Sequence, residues 1–283
     1  MRAAALPFLL LTPFALAQSK AATPDDGPTA TPARPTITNP AHIPPPGYLQ
    51  FEQGFLQANG SPNLQRQFSV VQTTKLSLIH HLMVQVQSQP FAHSTLPPTS
   101  NDTGDLIFGA QVLFTDRDEG HSSVPTVALA FNHRVRSGTS PDLDIGSFSQ
   151  GLTLLGSGTM HGIHYDANAV FNQQEGVNPA GNAIRRGQFG QTLSLTRQLT
   201  KKASLSGELW HFTQPLVSAS RDNLPIDRAN AVGLLFAGGY NLRPNLVFDA
   251  GFDHGLTSTS TSWQGFAGFT YLLPHRLFPE RKR

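Results

Sequence analysis

Ile163-His164-Tyr165-Asp166-Ala167-Asn168-Ala169-Val170-Phe171 alternates apolar and polar side chains along its length. Successive side chains of an extended strand point to opposite faces. One face therefore carries Ile163, Tyr165, Ala167, Ala169 and Phe171, and the other carries His164, Asp166, Asn168 and, one step on, Asn172. The same period recurs in Leu82-Met83-Val84-Gln85-Val86-Gln87 and in Leu246-Val247-Phe248-Asp249-Ala250-Gly251-Phe252-Asp253. Tight joints such as His80-His81, Thr200-Lys201-Lys202 and Arg243-Pro244-Asn245 take turns with polar loops of about ten residues or more. Short turns on one rim and long loops on the other mark a transmembrane β-barrel.

Counted outward from that stretch, the pattern predicts twelve strands, an even number as single-chain bacterial barrels have. They fall at Gly47–Gln57, Arg66–Ile79, Leu82–Phe91, Asp105–Phe114, Val124–His133 and Gly146–Gly156, then at His161–Asn172, Gly187–Leu199, Ala203–Thr213, Ala229–Leu242, Leu246–Gly255 and Ser262–Leu272. Each is close to the length a tilted strand needs to cross the hydrocarbon layer. Connections on the leader's side are short at His80-His81, Ser157 to Met160, Thr200 to Lys202 and Arg243 to Asn245. Thr115 to Ser123 is the exception. The opposite connections, Ala92 to Gly104, Arg134 to Ile145, Gln173 to Arg186 and Gln214 to Arg228, are all long. The expected fold is thus all-β, an antiparallel up-and-down barrel over residues 47–272.

Composition agrees. Only 13% of the 283 residues are charged, against about a quarter in a soluble domain, and Gly, Ser, Thr, Gln and Asn supply the polarity. Cysteine is absent, which excludes disulfides, thiolate metal sites and cysteine nucleophiles. A net charge of +2 with no basic cluster except Arg281-Lys282-Arg283 speaks against nucleic acid as a partner.

Residues 1–17 have the form of a secretory signal peptide: Arg2, an apolar run to Leu16, and Ala15-Leu16-Ala17 as a small-x-small cleavage site. Beyond it, no stretch of eighteen apolar residues provides a transmembrane helix. Gln18 to Pro46 is rich in Pro, Ala and Thr and without hydrophobic period, and reads as an extended, poorly ordered leader in the periplasm. Residues 273–283 read as a basic C-terminal tail. Export and a barrel together place the chain in a bacterial outer membrane, with its lipid as one partner.

Alternation assigns the faces, because side chains against lipid must be apolar. Leu49, Phe51 and Phe55 are expected outside, with Gln50 and Glu52 inside; Leu246, Phe248, Ala250 and Phe252 outside, with Asp249 and Asp253 inside. Glu52, His164, Asp166, Glu208, Asp249 and Asp253 are the ionisable lumen candidates. Gln85, Gln87, Gln111 and Asn168, with Asn172, are the uncharged ones. Such groups either select permeants or fill the interior as a structural polar network. Tyr165, Tyr240, Trp263 and Tyr271 fall near strand ends, where aromatic belts form. One strand breaks the pattern: Trp210 and Phe212 share the face of Glu208, and a bulge near Glu208 or Leu209 would repair it.

Arg34-Pro35-Thr36-Ile37-Thr38-Asn39-Pro40, Pro44 to Gly47, Leu49-Gln50-Phe51-Glu52 and the strand opening Gly104-Asp105 resemble the meta-pathway phenol-degradation family of outer-membrane proteins. The resemblance covers about Arg34 to Leu272 and implies a periplasm-rooted barrel that transports small molecules, aromatic or hydrophobic ones among them. One departure concerns the barrel-assembly machinery, a further expected partner. Barrels of this kind end in an aromatic residue, whereas here the chain continues from Leu273 to Arg283 past Tyr271.

The leading expectation is a passive channel or uptake component for a small-molecule solute. Two alternatives keep the barrel: a membrane-embedded hydrolase, for which Ser206, Glu208 and His211 would be needed together, and a barrel whose loops serve interaction. A soluble exported β-sandwich is the fourth. No catalytic residue, cofactor or metal site is expected. His80-His81 and the pair His161 and His164 lack a ligand set, and there is no nucleophile elbow, phosphate loop or dinucleotide fingerprint. The state of the pore, open or plugged, is not legible.

Overall fold

The computed structural model describes residues 27–61, 66–95, 99–116, 124–140, 148–177, 183–213 and 230–278. The signal peptide, residues 18–26 of the leader, residues 117–123 of the Thr115 to Ser123 connection and the Arg281-Lys282-Arg283 cluster lie outside the described residues. Strands run over β1 Leu49–Asn59, β2 Arg66–Ile79, β3 Leu82–Ser94, β4 Ser100–Asp102, β5 Leu106–Thr115, β6 Thr126–Val135 and β7 Gln150–Met160. They continue over β8 Ile163–Val177, β9 Ala183–Gln198, β10 Ala203–Phe212, β11 Ala231–Arg243, β12 Leu246–Gly255 and β13 Trp263–Leu272. Every long strand pairs antiparallel with its neighbours in sequence, and β1 pairs with β13 from Gln50–Leu272 to Asn59–Trp263. Twelve long strands therefore close into a ring with no free edge, the one sheet form that leaves no backbone group unpaired in lipid. The short β4 only adds to the end of β3.

The outer surface is apolar. Phe55, Phe108, Phe131, Leu154, Phe189, Leu209, Phe248 and Phe252 are all exposed, as are Tyr240 and Trp263. The inner row is polar and buried, with Gln50, Glu52, Lys75, Asn168, Glu208, Asp249 and Asp253 all nearly inaccessible. An inverted arrangement of this kind is what a barrel in hydrocarbon requires.

Two local expectations are corrected. The turn placed at Ser157 to Met160 lies at His161-Gly162, whose φ values of 52° and 77° are the left-handed pair a two-residue hairpin turn demands. Ser157 is consequently a β7 wall residue, and His161 is a turn residue and not part of a strand. The bulge expected at Glu208 or Leu209 does not exist, since β10 keeps unbroken register with both β9 and β11. Trp210 and Phe212 point inward because the interior is not water there.

Candidate functional site

What fills the interior is the chain's own N-terminal segment. Expected as a poorly ordered leader in the periplasm, it runs from residue 30 to residue 46 within the ring, against the inward side chains of the wall. Ala30 N–H reaches Pro244 O in the β11–β12 turn, and Gly47 N–H reaches Ser77 O near the β2–β3 turn. Both ends of the segment thus lie at the short-turn rim. Between them it climbs to Glu208, five residues on from Ala203 at the start of β10, roughly 17 Å along the strand at about 3.3 Å per residue. The segment is a U-shaped plug.

Its backbone is held by wall side chains in the way a neighbouring strand would hold it. Gln50 accepts from Thr31 N–H (2.8 Å) and donates to Thr31 O (2.7 Å). Asn168 does the same for Asn39, at 2.8 Å each way. Glu52 accepts from Ala33 N–H (3.2 Å), Ser157 from Ala41 N–H (2.7 Å), and Gln111 donates to Ala41 O (2.8 Å). Glu208 sits at the top of the U. Its carboxylate accepts from Ile37 N–H (2.9 Å), Thr38 N–H (2.8 Å) and the Thr38 hydroxyl (2.7 Å), and that hydroxyl also lies 2.7 Å from Thr192. Buried backbone groups must be paired, and a segment with no strand partner finds its pairs in amides and carboxylates.

Side chains of the plug add two anchors. Arg34 Nη2 lies 3.2 Å from Asp249 Oδ1. The guanidinium occupies a notch made by Gly54 on β1 and Gly268 on β13, which face one another across the β1–β13 pair. A methyl group at Gly54 would stand 2.1 Å from Arg34 Nη1. Ile37 packs against Trp210, Phe212 and Ala231, and Trp210 Nε1 donates to Asp253 (2.8 Å). Ala41 joins a second apolar patch with Leu113, Ala128, Ala130 and Leu155.

Every lumen candidate read from the sequence is placed on the inward face or beside it. Glu52, Gln111, Asn168, Glu208 and Asp249 bond the plug directly. Asp253 acts through Trp210, and Asp166 through Ser157 (2.5 Å) and His164 (3.2 Å). Gln85 instead donates to Asn132 (3.0 Å), and Gln87 lies above the plug, half-buried. Lys75, overlooked in the sequence, pairs with Glu52 at 2.6 Å. Gln50 and Ser157 were overlooked as plug contacts too; the excess of amides on the inward rows was the available signal. The hydrolase constellation is not assembled. Ser206 bonds Thr196, Glu208 is spent on the plug, and His211 bonds Gln191 on the outer side. Among the described residues no group of three His, Asp or Glu has the geometry of a metal site.

Beside the plug, Lys75, Gln85, Gln111, Asn132, Thr153, Met83 and Leu155 border a cavity of about 20 Å³. That holds about one water.

The family model described as "Putative MetA-pathway of phenol degradation" matches residues 33–273. Among solved structures the chain is similar to the COG4313 outer membrane channel from Pseudomonas putida F1, with a TM-score of 0.56 and 9% identity over 82% of this chain and 98% of that one. It is also similar to the NanC porin, with a TM-score of 0.53 and 10% identity over 79% of this chain and 98% of the porin. These likenesses show the barrel fold. No curated protein matches the sequence.

Proposed function

Since the chain belongs to the MetA-pathway phenol-degradation family, we infer that it is a passive outer-membrane channel for small molecules, aromatic or hydrophobic ones included, whose N-terminal segment keeps it shut. The observation that carries this reading is the division of the interior. A closed ring with an apolar exterior leaves a polar duct, and the duct is filled by a peptide held through hydrogen bonds that water could replace. Filler meant only for stability would be better built from apolar side chains, because buried polar networks return little net free energy. The structural likeness to outer-membrane channels supports the same conclusion, and so does the phenol degradation in the family's description. The short-turn rim, where the plug enters, faces the periplasm in this reading, and residues 1–17 serve export.

Lipid on the outside, a solute within and the assembly machinery during insertion are the partners it implies; nucleic acid is not among them. The test is flux through proteoliposomes over a panel of sugars and aromatic acids. The protein lacking residues 30–44 should pass solutes that the full chain passes slowly. No flux through either form would overturn the channel.

A further inference from the structure

Four histidines are left over by the plug and the lumen. His93, His133, His211 and His254 all point outward, each within the last three residues of its strand at the long-loop rim, on β3, β6, β10 and β12. No other histidine among the described residues lies on the outer face of a strand: the rest sit in the plug, the short turns, the inward row or the tail. Three of the four share one geometry. His93 Nδ1 lies 2.7 Å from Asn101 Oδ1, His211 Nδ1 2.7 Å from Gln191 Oε1, and His254 Nδ1 2.7 Å from Ser262 O. The backbone carbonyl of Ser262 can only accept, so at His254 the proton lies on Nδ1, and at His93 and His211 a side-chain amide holds the ring through the same nitrogen. Nε2 is then the polar atom on the opposite edge of the ring. His254 is further stacked on Trp263 at 4.1 Å, a residue type that settles at the headgroup level. Arg66, exposed at the start of β2, lies on the same face as His93, while Arg185 on that rim is already paired with Glu175 at 3.0 Å.

We propose that this rim is a collar that binds phosphorylated glycolipid headgroups of the outer leaflet. The collar rests on the membrane placement argued above. An imidazole oriented through Nδ1 accepts a hydrogen bond from a sugar hydroxyl at Nε2 when neutral and donates one to phosphate when protonated. Arg66 supplies a fork suited to phosphate. A headgroup carrying both hydroxyls and phosphates uses both abilities, whereas a simple phospholipid offers mainly its charge. The positions are spread around the ring, so the surface fits a shell of lipids and not one ligand.

The experiment is native mass spectrometry of the full chain in detergent with bis-phosphorylated lipid A, its dephosphorylated form, or phosphatidylglycerol. The wild type should retain lipid A about tenfold or more over the other two, and the variant H93Q/H133Q/H211Q/H254Q should lose that preference. Should the fourfold variant fail to assemble, the pairs H93Q/H133Q and H211Q/H254Q each lose part of it. Equal retention by wild type and variants, or equal retention of lipid A and phosphatidylglycerol, overturns the collar. The channel reading is judged separately: a protein that conducts without preferring lipid A refutes the collar alone, and one that prefers lipid A without conducting refutes the channel alone.

Discussion

Replacing Glu208 by alanine is the sharpest single perturbation of the plug. The carboxylate accepts three hydrogen bonds from residues 37 and 38, at 2.7 to 2.9 Å. A hydrogen bond to a charged group is worth about 1.5 kcal/mol net at the low end, so the three together favour the seated plug by about 4.5 kcal/mol. Against this stands hydration. In the unplugged state Glu208 faces a water-filled lumen, and seating the plug strips that water from a charge at a cost of several kcal/mol. Discounting the gain by about half leaves roughly 2 kcal/mol. At about 1.4 kcal/mol per decade, Glu208→Ala should raise the unplugged fraction about thirtyfold.

Planar-bilayer recording reads that fraction directly, as the share of time spent at the conductance of the protein lacking residues 30–44. Glu208→Gln should fall between wild type and Glu208→Ala, because one amide oxygen remains to accept. Heat-modified gel mobility should show all of them assembled, since the β10 ladder is untouched. A Glu208→Ala channel indistinguishable from wild type, beside a deletion that opens fully, would refute the carboxylate as the anchor. A deletion that leaves conductance unchanged would refute the plug as the block.

Gly54→Ala places a methyl group where the Arg34 guanidinium lies and should eject it from Asp249. The expected result is more frequent openings in the same recordings, with no further effect in an Arg34→Ala background, because the two changes act on one contact. Opening should also uncover a negative field. Arg34 leaves with the plug, and among the described residues the wall retains Glu52, Asp166, Glu208, Asp249 and Asp253 against Lys75 and Arg186, with Arg134 held by Asp105, so the deletion channel should prefer potassium to chloride in a salt gradient, and an anion preference would refute this.

The ring was legible in the sequence because its two determinants are local. Side-chain period fixes the face of each residue, and joint length fixes the rim, so Ile163 to Phe171 could be oriented before any partner was known. Ends of strands were less legible. Ser157 to Met160 looks like a turn by composition, yet a left-handed pair at His161-Gly162 makes the tighter hairpin.

The plug was illegible for a physical reason. Its contacts are made chiefly by its backbone, which is the same in every sequence, while the discriminating groups sit on the wall at Gln50, Gln111, Asn168 and Glu208. A segment bound in this manner needs no hydrophobic period and so reads as disordered. The apparent fault in β10 was the missing evidence. Trp210 and Phe212 are apolar on an inward row where a watery duct has no use for them, and Ile37 supplies the partner. An apolar pair among inward polar residues and a Pro-rich leader carrying Ile37 and Arg34 are two halves of one interface. Each half looks like an error when read alone. Read together they predict occupancy of the lumen, because the cost of burying Glu208 and Asp249 is tolerable only where donors are delivered to them, and the segment carrying Arg34, Ile37 and Thr38 delivers them.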